Sequence, residues 1–215
     1  MRIALTGGIA CGKSLLSKFL NELGVETLDA DDVVHTLLPD PEERRRIAAE
    51  VFANPEKRRA LEAKLHPIIK ERIDEWLDRT NGTNGTTETA ETSGTGACPV
   101  SPGGLGGPVT PARPVSPVRV AIIPLLFEAH WEENFDIICC VASTRENQVK
   151  RMVATRGMTC AEAEARLAAQ LPVEEKAKRS HYVIRNDGTA DELRAEAQKF
   201  VDWLREQRAA ECHRS

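Results

Sequence analysis

Residues 3–24 read Ile-Ala-Leu-Thr-Gly-Gly-Ile-Ala-Cys-Gly-Lys-Ser-Leu-Leu-Ser-Lys-Phe-Leu-Asn-Glu-Leu-Gly. The start of this stretch, with Arg2 before it, is short and apolar and predicts a buried strand. Its end carries Leu15, Leu16, Phe19, Leu20 and Leu23 on one helical face and stops at Gly24, which predicts a helix. Between the two, Gly7 to Ser14 fill the pattern G-x-x-x-x-G-K-[ST]. A strand, a glycine-rich loop and a helix in that order give the pattern a mechanism. The glycines let backbone N–H groups close around phosphate oxygens, and the helix N-terminus adds partial positive charge. The loop amides of Gly8, Ile9, Ala10, Cys11, Gly12 and Leu15 are expected to cradle phosphate. Lys13 is expected to reach the β- and γ-phosphates, and the Ser14 hydroxyl to ligate Mg²⁺. These residues predict a nucleoside triphosphate with Mg²⁺ as the cofactor.

Further along, short Val- and Ile-rich runs alternate with helix-period segments. Candidate strands are Ile3–Thr6, Val25–Leu28, Val118–Ile123, Ile137–Ala142 and Tyr182–Ile184. The pattern predicts an α/β fold of the P-loop NTPase type, a three-layer sandwich around a five-stranded parallel sheet. Helical periodicity covers residues 42–52 and 55–79, where Leu61, Leu65, Ile69, Ile73 and Trp76 recur about every fourth position. A last helix is expected over Ala190–Glu206. Locally, Pro67 reads as the first turn of a new helix.

Composition narrows the class. The 215-residue chain carries a net charge of −4, with both signs interspersed, so it lacks the basic footprint of a nucleic-acid binder. No apolar run is long enough for a membrane span. The chain starts directly with its first strand, so a cytoplasmic enzyme without signal peptide is expected. The six cysteines show no C-x-x-C and no metal-ligand spacing, and Cys139 and Cys140 read as core residues of a strand. Thr80–Pro117 is almost entirely Thr, Gly, Pro, Ser, Asn and Val. That segment has too little apolar surface to offset the entropy of ordering it, and it reads as a disordered insertion within a single domain. Its two Asn-Gly-Thr sequons have no use in a cytosolic chain.

Strand two ends in Leu28-Asp29-Ala30-Asp31-Asp32. In doubly wound folds ligands lie beyond the carboxyl ends of the strands, so these carboxylates reach the edge of the phosphate site. One of them can accept the proton of a substrate hydroxyl; helix capping is the competing use. Strand three runs into Pro124 where a motor ATPase has an acidic residue, and no Asn-Lys-x-Asp guanine motif is present. Both features favour a small-molecule kinase. Gln148, Lys150, Arg151 and Arg156 lie on a helix after strand four, where arginines can meet the charge of a transferring phosphoryl group.

In combination the chain resembles the dephospho-coenzyme A kinases. The residues that carry the resemblance are Leu5-Thr6-Gly7-Gly8-Ile9, Gly12-Lys13-Ser14, Asp29-Ala30-Asp31, Phe52-Ala53-Asn54-Pro55 and Leu65-His66-Pro67. They continue with Pro124-Leu125-Leu126-Phe127-Glu128, Gln148 with Arg151, Ala169-Gln170, Lys176 and Asn186-Asp187-Gly188. The resemblance implies transfer of the ATP γ-phosphoryl group to the ribose 3′-hydroxyl of dephospho-CoA. It implies Asp31 as general base, Lys13 and Arg151 as catalytic charges, Ser14 as metal ligand and Asn186 at the nucleotide base. Arg44, His66, Pro124 and Leu125, with Asp31, fall in the part that receives the acceptor. The implied architecture has a helical acceptor-binding part over residues 40–79 and a helical lid over 145–180. The partner is the small-molecule substrate alone, in a monomer or a weak homo-oligomer.

The chain departs from the family pattern in three places. Ala10 and Cys11 replace the usual Gly and Ser of the loop. Thr155 stands where a second lid arginine is usual, with Arg156 one residue later, a rotation of about 100° on a helix. The stretch from Leu38 to Glu43 is short, which reduces the acceptor-binding part. Cys11 raises a second reading beside that of a Ser-sized filler, because a thiol at a helix N-terminus can have a lowered pKa and oxidise. Two alternatives to the leading function remain: a kinase of the same fold for another small alcohol or nucleoside, and a non-catalytic nucleotide-binding module.

Overall fold

The computed structural model describes residues 1–37, 39–40, 42, 44–47, 54–79 and 117–212. The expected insertion up to residue 116 and the Phe52-Ala53 pair of the resemblance lie outside the described residues. So does most of the expected helix at 42–52, of which 42 and 44–47 are helical.

Five strands form one all-parallel sheet in the order β2-β3-β1-β4-β5: β1 is Ile3–Gly7, β2 Glu26–Asp29, β3 Arg119–Ile122, β4 Ile137–Ala142 and β5 Tyr182–Arg185. All five expected strands form, with no end shifted by more than one residue. The sheet is buried on both faces because its side chains alternate. Ile3 and Leu5 of β1 with Ile137, Cys139 and Val141 of β4 point to one face, while Ala4 and Ile138 point to the other.

The first face is covered by α1 (Lys13–Glu22) and by the last helix. The i, i+3, i+4 set Leu16, Phe19 and Leu20 of α1 packs with Leu193, Phe200 and Leu204. The second face is covered by α2 (Ala30–Leu37) and α3 (Pro55–Asp78) through Val33, Ile69 and Ile73. Helix, sheet and helix give the three expected layers.

Pro67 does not start a new helix; it lies inside α3, which runs through it. Only one intrahelical hydrogen bond is forgone at a proline, and Ile69 and Ile73, both buried, carry the packing across it. The segment 145–180 holds α4 (Arg145–Arg156), α5 (Cys160–Ala168) and α6 (Val173–Lys178). The side chain of Thr144 caps α4, and Thr159 with Glu162 forms a reciprocal capping box on α5. α6 packs against β1 and β4, so this end of the segment belongs to the body of the sheet. The last helix, α7, runs over Ala190–Cys212, beyond its expected end. No described helix is long and apolar enough to cross a membrane.

Candidate active site

β1 ends under strict geometry. A Cβ on Gly7 would overlap the Val141 carbonyl oxygen of the neighbouring strand, so only glycine lets β1 turn out of the sheet there. The loop that follows places Ala10 at φ 56, in the left-handed region, at a cost of about 1 kcal/mol for a residue with a side chain. Gly12 also has positive φ, at 93, and a Cβ there would overlap Asn186 Nδ2.

Three consecutive loop carbonyls each receive one side-chain donor from outside the loop. Ile9 O accepts from Gln148 Nε2 at 2.8 Å, Ala10 O from Arg151 Nη1 at 3.3 Å, and Cys11 O from Asn186 Nδ2 at 2.8 Å. A trans peptide points its N–H opposite to its C=O. Tying these carbonyls down therefore turns the following N–H groups, of Ala10, Cys11 and Gly12, to the other side, where an anion would meet them. Cys11 N–H reaches Gly8 O at 3.4 Å. The donors are themselves fixed. Gln148 and Asn186 are buried, Arg151 Nη2 also donates to Asn186 O at 2.7 Å, and Ser143 Oγ donates to the same oxygen at 3.0 Å.

This arrangement gives two of the expected site residues partners within the protein. The amide of Asn186, expected at the nucleotide base, is committed to the loop carbonyl of Cys11. Arg151 likewise rests against the back of the loop, bonded to Ala10 O and Ser143 Oγ. Arg156 ends a regular α4 capped by Gly157 at φ 62, and it is exposed, so its one-residue offset from Thr155 persists as a rotation around the helix.

Lys13 Nζ donates to Gly7 O at 3.1 Å and to Gly8 O at 2.8 Å, so the loop itself holds the ammonium. Burial lowers its pKa, and it also senses Cys11, Lys176, Asp29 and Asp31. In the parallel sheet β1 and β2 end on the same edge, so the carboxylates after β2 lie on the side of the phosphate loop. Ser14 and Leu15 follow on the exposed side of α1. Cys11 is fully buried, and burial pushes its thiol pKa up; its Sγ accepts from Gln148 Nε2 at 3.1 Å. Full burial and the raised thiol pKa favour the Ser-sized filler over the acidified thiol.

Among the acidic residues the two uses divide. Asp29 Oδ1 accepts from Asp31 N at 2.9 Å and starts α2, and burial pushes its carboxyl pKa up. Asp31 keeps its carboxylate exposed, on the wall of a cavity of about 200 Å³. That cavity lies between α2, α3 and the segment after β3. His66, Ile69, Pro124, Leu125 and Trp131 are among its walls. His66 meets the Trp131 ring edge-on, with centroids 5.2 Å apart. The cavity thus joins an apolar wall to one carboxylate, a combination suited to an organic alcohol. Arg44 donates from Nη1 to Pro39 O at 2.9 Å and does not line it.

Lys176 and Glu128 both carry part of the family resemblance, but their pairing is visible only in the fold. Lys176 is buried, and its ammonium pairs with Glu128 and bonds the Pro124 carbonyl. In an amphipathic helix a lysine reads as solvated, and only the tertiary fold shows otherwise. Gln148, Arg151 and Asn186 also belong to that resemblance, and their convergence on the loop carbonyls is a contact made only in space. No group of three or more His, Cys, Asp or Glu side chains among the described residues is arranged to hold a metal.

A sequence model described as dephospho-CoA kinase matches residues 1–43 and 112–192. The chain is 34% identical over 220 residues to a dephospho-CoA kinase of Synechococcus sp. (strain JA-3-3Ab), covering 93% of this chain and 90% of that one. Its fold resembles the dephospho-CoA kinase of Campylobacter jejuni, with a TM-score of 0.62 at 23% identity, over 96% of this chain and 98% of that one. It also resembles the shikimate kinase of Acinetobacter baumannii, at 0.57 and 16%, over 96% and 93%.

Proposed function

The chain belongs to the dephospho-CoA kinase family, and from that membership we infer that it transfers the γ-phosphoryl group of ATP to the ribose 3′-hydroxyl of dephospho-CoA, the last step of coenzyme A biosynthesis. The observation that supports this most is the pairing of a phosphate loop with an apolar cavity whose wall carries one exposed carboxylate, Asp31, within electrostatic reach of Lys13.

The residues divide the work as follows. The acceptor seats in the cavity against Pro124, Leu125, His66 and Trp131. Asp31 orients the 3′-hydroxyl and takes its proton as the oxygen attacks Pγ; the new O–P bond forms while the bond from Pγ to the β,γ-bridging oxygen breaks, and ADP leaves with that oxygen. Lys13 leaves the Gly7 and Gly8 carbonyls for the phosphates, whose negative charge favours the ammonium that burial disfavours. The N–H groups of Ala10 and Gly12 donate to phosphate oxygens on the face opposite the side-chain donors. Gln148, Arg151 and Asn186 hold that face in shape, and α4 with α5 forms the lid.

Mg²⁺ fits the residues present. Ser14 offers an exposed oxygen in the first turn of α1, and a site with one protein oxygen suits an ion carried in by phosphates and water. Bound there, the ion would neutralise charge on the β- and γ-phosphates.

The test is ADP release by purified protein with Mg-ATP, with and without 3′-dephospho-CoA, against adenosine and shikimate as other alcohol acceptors. Turnover that depends on dephospho-CoA is expected. Turnover with another acceptor alone would assign a different substrate, and ATP binding without any turnover would make the chain a binding module.

A further inference from the structure

Among the described residues Lys176 is one of the bulkiest fully buried side chains, at 0% exposure. Its Nζ donates to the Pro124 carbonyl at 2.9 Å and pairs with Glu128 Oε1 at 2.7 Å. Thr6 Oγ1, from β1, donates to the same Pro124 oxygen at 3.4 Å. The same Glu128 oxygen accepts the backbone N–H of Leu171 at 3.2 Å. One ammonium therefore ties together the turn after β3, the start of the α6 segment and, through Thr6, the central strand.

The position of this cluster is informative. Pro124 and Leu125 are a wall of the cavity that holds Asp31. Leu171, Val173 and Glu174 line a second cavity of about 200 Å³, whose opposite wall is Gly8 and Ile9 of the phosphate loop. Lys176 stands at the seam between these cavities and contributes to the electrostatics of Lys13. Stability is a weak reason for such a group, since a buried ion pair is often replaceable by apolar residues without loss. Geometry is a better one. Phosphoryl transfer needs its reacting atoms aligned within a fraction of an ångström, and a 1 Å misplacement can cost about 100-fold.

We propose that Lys176 is a positioning residue for phosphoryl transfer, which holds the Pro124 carbonyl and so fixes the acceptor cavity wall relative to the phosphate loop. The proposal rests on the kinase reading above for its substrate. It does not require Lys176 to touch either ligand.

The test compares wild type with Lys176→Met and with the double variant Lys176→Met/Glu128→Leu, which leaves no unpaired buried charge and guards against simple unfolding. Three quantities are read: kcat/KM for dephospho-CoA, Kd for a fluorescent ATP analogue, and amide hydrogen exchange across residues 124–128. Both variants should lose roughly 30- to 100-fold in kcat/KM for the acceptor, keep Kd for the ATP analogue within about threefold, and exchange faster at 124–128. The proposal is overturned by wild-type kcat/KM in the double variant, by ATP affinity that weakens as much as acceptor turnover, or by unchanged exchange at 124–128. Absence of turnover in wild type would refute the kinase reading instead, and the exchange result alone would then decide the role of Lys176.

Discussion

The side-chain amide of Asn186 donates to the backbone carbonyl of Cys11 at 2.8 Å, joining the loop after β5 to the centre of the phosphate loop across 175 positions of sequence. The bond is buried, and the same asparagine leaves no room for a Cβ at Gly12. The loop therefore owes its shape to residues 139 to 175 positions further along the chain, as well as to its own glycines.

Asn186→Ala leaves the Cys11 carbonyl buried without its donor, at about 1–3 kcal/mol. We expect a lowered thermal midpoint and ATP affinity weakened by roughly tenfold, with acceptor KM little changed. Titration with a fluorescent ATP analogue checks this; unchanged affinity would remove Asn186 from the support of the loop. Gly12→Ala should lose ATP binding more severely, because it adds both a collision and a positive φ.

The fold was legible because β1, the loop and α1 form one uninterrupted pattern, and because the other strands are short Val- and Ile-rich runs between helical periods. Asp31 was legible as one of three neighbouring carboxylates, although the assignment of capping to Asp29 needed the hydrogen bond that Asp31 N makes to it. Cys11 kept two readings in the sequence, a Ser-sized filler and an acidified thiol, because a helix terminus is visible there and the desolvation that favours the filler is not. Pro67 was read as a helix start for a similar reason: the tertiary packing of Ile69 and Ile73 overrides a local signal. Lys176 and the three donors to the loop carbonyls depend on contacts between distant elements, which no local pattern records.

Thiol reactivity separates the cysteines. Cys11, Cys139 and Cys140 are buried, and burial raises all three pKa values, that of Cys140 to about 12, whereas Cys160 is exposed. Iodoacetamide followed by peptide mass spectrometry should label Cys160 in the native protein and these three only after unfolding. Rapid native labelling of Cys11 with loss of ATP binding would restore the reactive-thiol reading.

Asp187 makes stability depend on pH. Its burial would raise the pKa, but hydrogen bonds from Thr144 N–H, Ser143 Oγ and Asn147 hold it down to about 2, against an ordinary value of 3.8. A depressed carboxyl pKa contributes stability that is complete above the unfolded value and is lost as pH falls through the folded one. The window is therefore about pH 4 to 2. The carboxylate is exposed, so solvent screening reduces the contribution to about 1 kcal/mol. Urea midpoints of Asp187→Asn and wild type should differ at pH 7 and converge towards pH 2; a constant difference would assign the effect to lost packing.

Trp131 closes the acceptor cavity against His66. Trp131→Ala should raise KM for dephospho-CoA by roughly tenfold while leaving KM for ATP near wild type. Equal changes in both would place Trp131 in general stability rather than in acceptor binding.

The central claim is that Asp31 takes the proton of the acceptor hydroxyl. The decisive measurement is kcat of Asp31→Asn with saturating Mg-ATP and dephospho-CoA, together with Kd for the ATP analogue. The account predicts that kcat falls by roughly 100-fold or more while ATP affinity stays within about threefold. A variant that turns over at the wild-type rate would contradict it, and the carboxylate on the cavity wall would have no part in the chemistry.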